Sequence, residues 1–403
     1  MSAMEDNLDS SARYYMSLTT DGSTFINHVD GMYQTSEHVY ADAILMDIIA
    51  SFDSENFWAS TLQVPYHYDG TSASTSLFHA LHGAEHNRLY SRYWHGTLLF
   101  TRLELLITDA QGIHVINAAV LLVLVVLFMA VCFRCGQKRL AFCYLAAFLL
   151  TLSFFAFWTI EYMSCFTISL LAGMAVLLVP DVWTRSWRLC LLFSLTAVAT
   201  AFFDFFTNET MTFLIPAACL ISRRLDHPGC TLKRILADIV QVGFVWLLTW
   251  AVTFGLRWVI SALTPGALTL SDILSRGVEW AVGTDEHAAL GNTQLTAIYR
   301  NLFCLFPLET PEGVFACAGA ALTLMLAVFL LFRNRYSGLW RPALVLVLLA
   351  LVPYARYLAL AKHSLGHYRF AYRAQLSSLF CMLIFLTISI RPQKLLRPKR
   401  SKP

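Results

Sequence analysis

Residues 113–133 read IHVINAAVLLVLVVLFMAVCF, and the six that follow, RCGQKR, bring Arg134, Lys138 and Arg139. The first stretch runs for 21 residues without a formal charge. About 20 apolar residues in a helix cross the hydrocarbon core of a bilayer. In lipid every backbone polar group must be bonded within its own segment, so a helix is the reading. The pattern returns along the chain, and spans are expected near 113–133, 140–158, 163–180, 187–205, 208–222, 235–261, 314–332, 342–361 and 374–390. That makes nine transmembrane helices, of which 208–222 is the shortest. The fold class expected is an all-α polytopic membrane protein.

Composition agrees with that reading. Of 403 residues, 57% are apolar and 14% charged, which excludes an ordinary soluble domain. The formal net charge is +3, and the basic residues are spread among turns rather than gathered in one patch, so no nucleic-acid partner is expected. The ten cysteines begin only at Cys132, which leaves the first 112 residues without a disulfide framework. Cys132 and Cys135 form a C-x-x-C at a helix end. Two ligands without a second pair make a poor zinc site.

Charge divides the turns between two chemistries. One set holds Arg134, Lys138, Arg139, Arg185, Arg188, Arg223, Arg224, Lys233, Arg234, Arg333, Arg335, Arg341 and the tail from Arg391 to Lys402. These are 18 basic residues, accompanied in the turns by Asp181 and Asp226 alone. The other set holds nearly all remaining carboxylates and 11 of the 12 histidines. Lys and Arg stay on the cytoplasmic side, so the acid- and histidine-rich face is expected outside. The expected partition is an extracytoplasmic first-loop cap over 1–112, a transmembrane domain over 113–391 with an outward loop at 262–313, and a basic cytoplasmic tail at 392–403. Helices are expected in the cap at 38–51 and 96–108, the second lying in the membrane interface. Translocating such a cap needs an upstream signal. One further N-terminal helix is therefore expected in the native protein, making ten.

Four constellations on the outward side bear chemistry. Tyr40-Ala41-Asp42-Ala43-Ile44-Leu45-Met46-Asp47 places two carboxylates five residues apart, on different faces of a helix. Asp42 is either a helix cap or a catalytic carboxylate. Arg92-Tyr93-Trp94-His95-Gly96 joins a cation and an imidazole to two aromatics, suited to a lipid phosphate or to plain interfacial anchoring. Phe202-Phe203-Asp204-Phe205-Phe206-Thr207-Asn208-Glu209 sets an aspartate among four phenylalanines. Such a carboxylate lines a wet cavity or pairs with a cation such as Arg257 or Arg356. Glu161, at the outer end of another helix, is a candidate for the same cavity wall. Lys362 to Arg373 reads as a loop that carries His363, His367, Arg369, Tyr372 and Arg373 on the side that positive charge avoids. An anionic ligand, or acidic residues of the cap, would balance them.

Together Y-A-D-A-I-L at Tyr40–Leu45, R-Y-W-H-G at Arg92–Gly96, F-D-F-F-T at Phe203–Thr207 and H-S-x-x-H-x-x-F-x-Y-R at His363–Arg373 resemble the bacterial GT-C-type membrane glycosyltransferases. The resemblance is scattered from about Asp30 to Arg373. It implies transfer of a sugar from a polyprenyl-phosphate donor to a glycan, polymer or lipid acceptor on the outer face of the plasma membrane. It places Asp42 as the first-loop catalytic carboxylate, with Asp204 orienting substrate. Arg92, His95, His363, His367, Arg369 and Arg373 would hold the lipid phosphate. Tyr93, Trp94, Glu161, Asn208, Glu209 and Tyr372 would line the cavity. The first loop lacks an adjacent D-x-D or D-D pair, which leaves dependence on a divalent metal open. The alternative reading is a transporter or flippase for a lipid-linked or small anionic substrate, with Asp204 and Arg257 on a permeation path.

Overall fold

A computed structural model describes residues 3–20, 36–70, 72–179, 186–227, 230–282, 293–304, 325 and 339–389. Within them the regular elements are helices, apart from one antiparallel pair of two-residue strands, Pro65–Tyr66 (β1) with Arg88–Leu89 (β2). The cap contains α1 (Ala3–Thr20), α2 (Ser36–Ala50), α3 (Phe57–Gln63), α4 (Ala73–Leu81) and α5 (Thr97–Leu105). The helix expected at 38–51 is α2, and the one expected at 96–108 is α5. Leu99, Phe100, Leu103, Leu106 and Ile107 stand exposed on or just after α5, and Thr97, Thr101 and Leu105 are buried. That is the division expected of a helix lying along a lipid surface.

Five helices are long and apolar enough to cross a membrane: Ala110–Arg134 (α6), Ser186–Phe203 (α9), Leu232–Leu263 (α11), Trp340–Ala359 and Tyr372–Ser389. The last two are continuous apolar stretches with local breaks. The first comprises α14 (Trp340–Ala350) and α15 (Val352–Ala359), and the second ends in α18 (Gln375–Ser389). Shorter helices fill the bundle: α7 (Lys138–Leu150), α8 (Met163–Leu178) and α10 (Glu209–Leu225). The expected span 140–158 is broken. Thr151 turns its hydroxyl back to the Ala147 carbonyl, Leu152 has φ 51°, and a 3-10 turn occupies Ser153–Trp158. Side-chain hydroxyls that bond nearby backbone compete with helix continuation. The expected span 314–332 lies outside the described residues except for Met325.

Helix α10 is buried on every side from Met211 to Ser222. It is the axis of the bundle rather than a lipid-facing span, packing against α8, α9, α11 and α18. Its Pro216 removes one backbone donor, which a surrounded helix tolerates. A second core joins the cap to one end of the bundle, with Tyr15, Met46, Leu77, Tyr93 and Leu105 packed on Ile113, Ile160, Ala201, Phe206 and Phe254. At the opposite end the turns are tied to one another. Gln137 donates to Asp226 and accepts from Ser222, and Arg224 meets Asp238 at 2.8 Å. The cap and these basic turns therefore occupy opposite ends of the bundle.

Candidate functional site

A cavity of about 360 Å3 opens where the cap meets the bundle. Its volume is within the range of small-molecule sites. Tyr40, Ala41, Ile44 and Leu45 of α2 form one wall. Tyr90, Arg92 and Tyr93 come from the segment after β2, Glu161 from the turn before α8, and Phe205 and Thr207 from the turn between α9 and α10. The remaining wall is Trp280 of α12 (Leu270–Val282) with His363 and Gly366 of α16 (Ala361–Gly366), then His367 and Phe370. Four sequence constellations distant in the chain thus converge on one space.

Local bonding explains the convergence. Gly96 N donates to the Phe202 carbonyl at 2.9 Å, and the Thr97 hydroxyl donates to Phe203 O at 2.9 Å. Trp94 Nε1 donates to Thr253 O at 3.0 Å, and Arg257 donates to the carbonyls of Tyr93 and Leu62. The segment 92–97 is therefore pinned between α9 and α11. On the other side Arg356 donates to Glu209 Oε1, Ser364 Oγ and the Phe206 carbonyl, tying α15 and α16 to the 204–209 turn. Lys362 meets Glu279 at 2.5 Å.

Arg92 lies among rings, its guanidinium 4.7 Å from the Tyr90 centroid, 5.6 Å from Tyr93 and 5.5 Å from Trp280. Its Nε is buried without a hydrogen-bond partner, and among the described residues it forms no ion pair. Glu161 Oε2 is likewise buried without a partner. Burial, reinforced by the charges of Asp42 and Asp204, pushes the Glu161 carboxyl from the ordinary 4.5 up to about 8. The cavity thus holds a carboxylic group poised near neutral pH opposite a cation in an aromatic box.

The two aspartates expected to do chemistry are not on the cavity wall. Asp42 is 1% exposed, and its oxygens accept from His114 Nε2 at 2.9 Å and from Ile160 N at 3.1 Å. Its helix begins at Ser36, so it is not a cap. Asp47 faces elsewhere, accepting from Ser51 and His67 N, as the five-residue spacing implied. Asp204 is 3% exposed and accepts from the Thr207 hydroxyl at 2.5 Å and Thr207 N at 3.1 Å. The salt bridge considered for it goes to a neighbour instead, because Arg356 pairs with Glu209 at 2.8 Å. Asp42 and Asp204 stand behind Glu161 and act on it through charge.

The expected phosphate cluster is also rearranged. Lys362–Arg373 is not a loop but α16, α17 (Tyr368–Ala371) and a 3-10 turn at Tyr372–Ala374. Arg373 is fully buried, 5.0 Å from the centroids of Tyr162 and Tyr372, and Lys362 is matched by Glu279. Among the described contacts, aromatic rings surround Arg373 and Glu279 of α12 balances Lys362. His95 is buried with φ 57°, its Nε2 bonded to the Tyr90 carbonyl, and burial lowers it to about 3, so it is neutral and off the wall. His363 lines the cavity but is held well below the usual histidine range by burial and by Arg356. It serves as a neutral hydrogen-bonding group. The side chain of Arg369 lies outside the described residues. Of the expected lining, Tyr93 and Glu161 reach the cavity, whereas Trp94, Asn208, Glu209 and Tyr372 pack behind it.

A second, more apolar cleft of about 490 Å3 lies under α5, between α6, α8 and α9. Phe100, Val120, Ile168 and Leu171 line it with Thr101, Glu104 and Asn117. Ile160 is on its wall, one residue from Glu161 on the other cavity. No family model, curated protein or solved structure matches this chain. The described residues form a helical protein with five helices long and apolar enough to cross a membrane, and function is argued from the site alone.

Proposed function

We propose that this protein is a membrane glycosyltransferase of the GT-C type, moving a sugar from a polyprenyl-phosphate donor to a glycan, polymer or lipid acceptor on the extracytoplasmic face of the plasma membrane. One observation carries the reading: Glu161 and Arg92 on the walls of one cavity each keep a buried polar atom without a hydrogen-bond partner. Buried polar atoms are nearly always bonded, so two orphans on one cavity call for a ligand. Glu161, held near pH 8, is matched to general-base work. The acceptor hydroxyl attacks the anomeric carbon and its proton passes to Glu161. The bond from that carbon to the phosphate oxygen breaks, and the lipid phosphate leaves with the electron pair. Arg92 offsets the charge that develops on the departing oxygen. Tyr90, Tyr93 and Trp280 offer flat faces to the sugar, and His363 supplies a neutral hydrogen bond. The apolar cleft at Ile160 suits the polyprenyl chain beside its headgroup. Asp42, which the sequence favoured as base, becomes a positioning residue.

Transfer from a polyprenyl-phosphate sugar, assayed with the full-length protein in liposomes, tests the assignment. Glu161→Gln is expected to lower kcat on the order of 100- to 10,000-fold, the usual contribution of a positioned base, while leaving donor binding near wild type. Wild-type turnover in that variant would remove Glu161 as base. Arg92→Ala is expected to weaken the donor more than the acceptor, and equal weakening would make Arg92 a packing residue.

A further inference from the structure

The cap carries a second cluster, away from the cavity. His67, Asp69 and His79 place one ligand atom each within 4.8 Å of one another, the only such group of three among the described residues. We infer that these three side chains form a divalent transition-metal site, with zinc as its cation.

The turn that presents them is fixed at nearly every residue. His67 N donates to Asp47 Oδ1 at 2.9 Å. Tyr68 is clamped on both sides by Asn87, which accepts from Tyr68 N at 2.9 Å and donates to Tyr68 O at 3.0 Å. Gly70 takes φ 86°, a left-handed conformation that would strain another residue. Ser72 then caps α4, accepting from Thr75 N at 3.1 Å. His79 comes from the last turn of that helix. His67 therefore directly follows β1, Asp69 lies in the tied turn after it, and His79 stands on the capped helix.

Their outer contacts are those that metal ligands require. His67 Nδ1 lies 2.8 Å from the Glu85 carbonyl, which fixes the hydrogen on Nδ1 and leaves Nε2 with a free lone pair. The Ser76 hydroxyl donates to Asp69 Oδ1 at 3.1 Å, and Asp69 Oδ2 lies 2.9 Å from His79 Nδ1. Ligand atoms around a tetrahedral ion stand about 3.4 Å apart, given bonds near 2.1 Å. Side-chain torsions that draw in atoms as far as 4.8 Å apart by about 1.4 Å, and part Asp69 from His79 by about 0.5 Å, let a metal replace the contact between those two. Two imidazoles and a carboxylate favour zinc or a neighbouring transition ion over magnesium or calcium, which take oxygen ligands. His79 and Asp69 are exposed, so water completes the coordination. A bound ion would cross-link the turn after β1 to α4, stiffening the cap.

Zinc binding by the full-length protein in detergent, followed by calorimetry after treatment with chelator, tests the site. Wild type is expected to take up one equivalent at pH 7.5 with a rise in thermal midpoint, and magnesium is expected to give neither. His67→Gln with His79→Gln should abolish that equivalent, while His82→Gln should retain it. Ser76→Ala should weaken it on the order of 10-fold, because the hydroxyl only orients Asp69. All variants should match wild type in thermal midpoint in the presence of chelator, which separates loss of metal from loss of fold. Zinc uptake by the double variant equal to wild type would overturn the assignment and move the binding elsewhere, for example to Cys132 and Cys135.

Discussion

Glu161 sits between two carboxylates that are themselves fully engaged, and that arrangement makes its proton sensitive to its neighbours. Asp42 and Asp204 raise its pKa by charge, burial raises it most, and Tyr162 and Arg373 pull the other way. A base must be deprotonated, so transfer is expected to climb with pH and level off above about 8. Removing a negative charge beside a raised carboxyl lowers it. Asp42→Asn should therefore shift the rising limb toward lower pH while transfer persists. Abolished transfer with no shift would return the base role to Asp42. The same group sets a stability dependence. Its folded value lies above its unfolded 4.5, so the folded state binds the extra proton and its advantage is lost as pH rises from about 4.5 through about 8. Glu161→Gln should flatten that part of the denaturation profile relative to wild type, measured by thermal midpoint against pH. The difference between the two profiles is the informative quantity, since Asp47 and Glu104 are raised in the same sense.

At the scale of elements, the junction between cap and bundle rests on close backbone approach. A Cβ on Gly96 would stand 2.3 Å from the Phe202 ring and 2.7 Å from its carbonyl oxygen. Gly96→Ala should thus push α5 away from the end of α9, destabilising the protein by roughly 1–3 kcal/mol, as overpacking commonly does. An unchanged thermal midpoint would show that the junction yields freely. Elements with strong apolar continuity were readable from sequence, as 113–133 became Ala110–Arg134 and the helix expected at 96–108 became Thr97–Leu105. Readings failed where tertiary bonds decide. Hydropathy does not register the left-handed Leu152 that ends the expected 140–158 span. Gly366 suggested a loop, yet Asn301 of α13 (Thr293–Phe303) donates to the Ser364 carbonyl at 3.0 Å and α16 forms beneath it. The candidate site shows the same division. Arg92, Tyr93, Glu161, His363 and His367 were placed together by their order along the chain, their sidedness and the resemblance those suggested. Which carboxylate faced the cavity was not legible, because periodicity cannot tell that Ile160 N and His114 already occupy Asp42. His67, Asp69 and His79 were missed, though a run of histidines from His67 to His95 was the available signal.

For the whole molecule, the separation of charge in sequence reappears as separation in space. The turns at Arg134–Lys138 and Arg223–Arg234 cluster at one end through Gln137, Asp226 and Asp238, and the cap closes the other through Arg257, Trp94 and Arg356. Basic residues at the cap end are consumed differently, by rings, carbonyls and single carboxylates. Positive charge there contributes to structure and to the cavity, whereas at the far end it outnumbers Asp226 and Asp238, and that surplus is what sets orientation. If orientation is set that way, the two ends must meet different compartments. Exposed Ser54 in the cap and exposed Lys138 in the basic turn report on them. In intact cells, Ser54→Cys is expected to take up a membrane-impermeant maleimide above the wild-type background, and Lys138→Cys only after the membrane is opened. The reverse pattern would put the cavity in the cytoplasm, where a lipid-linked donor of the outer leaflet could not reach Arg92, and the transferase reading would fall with it.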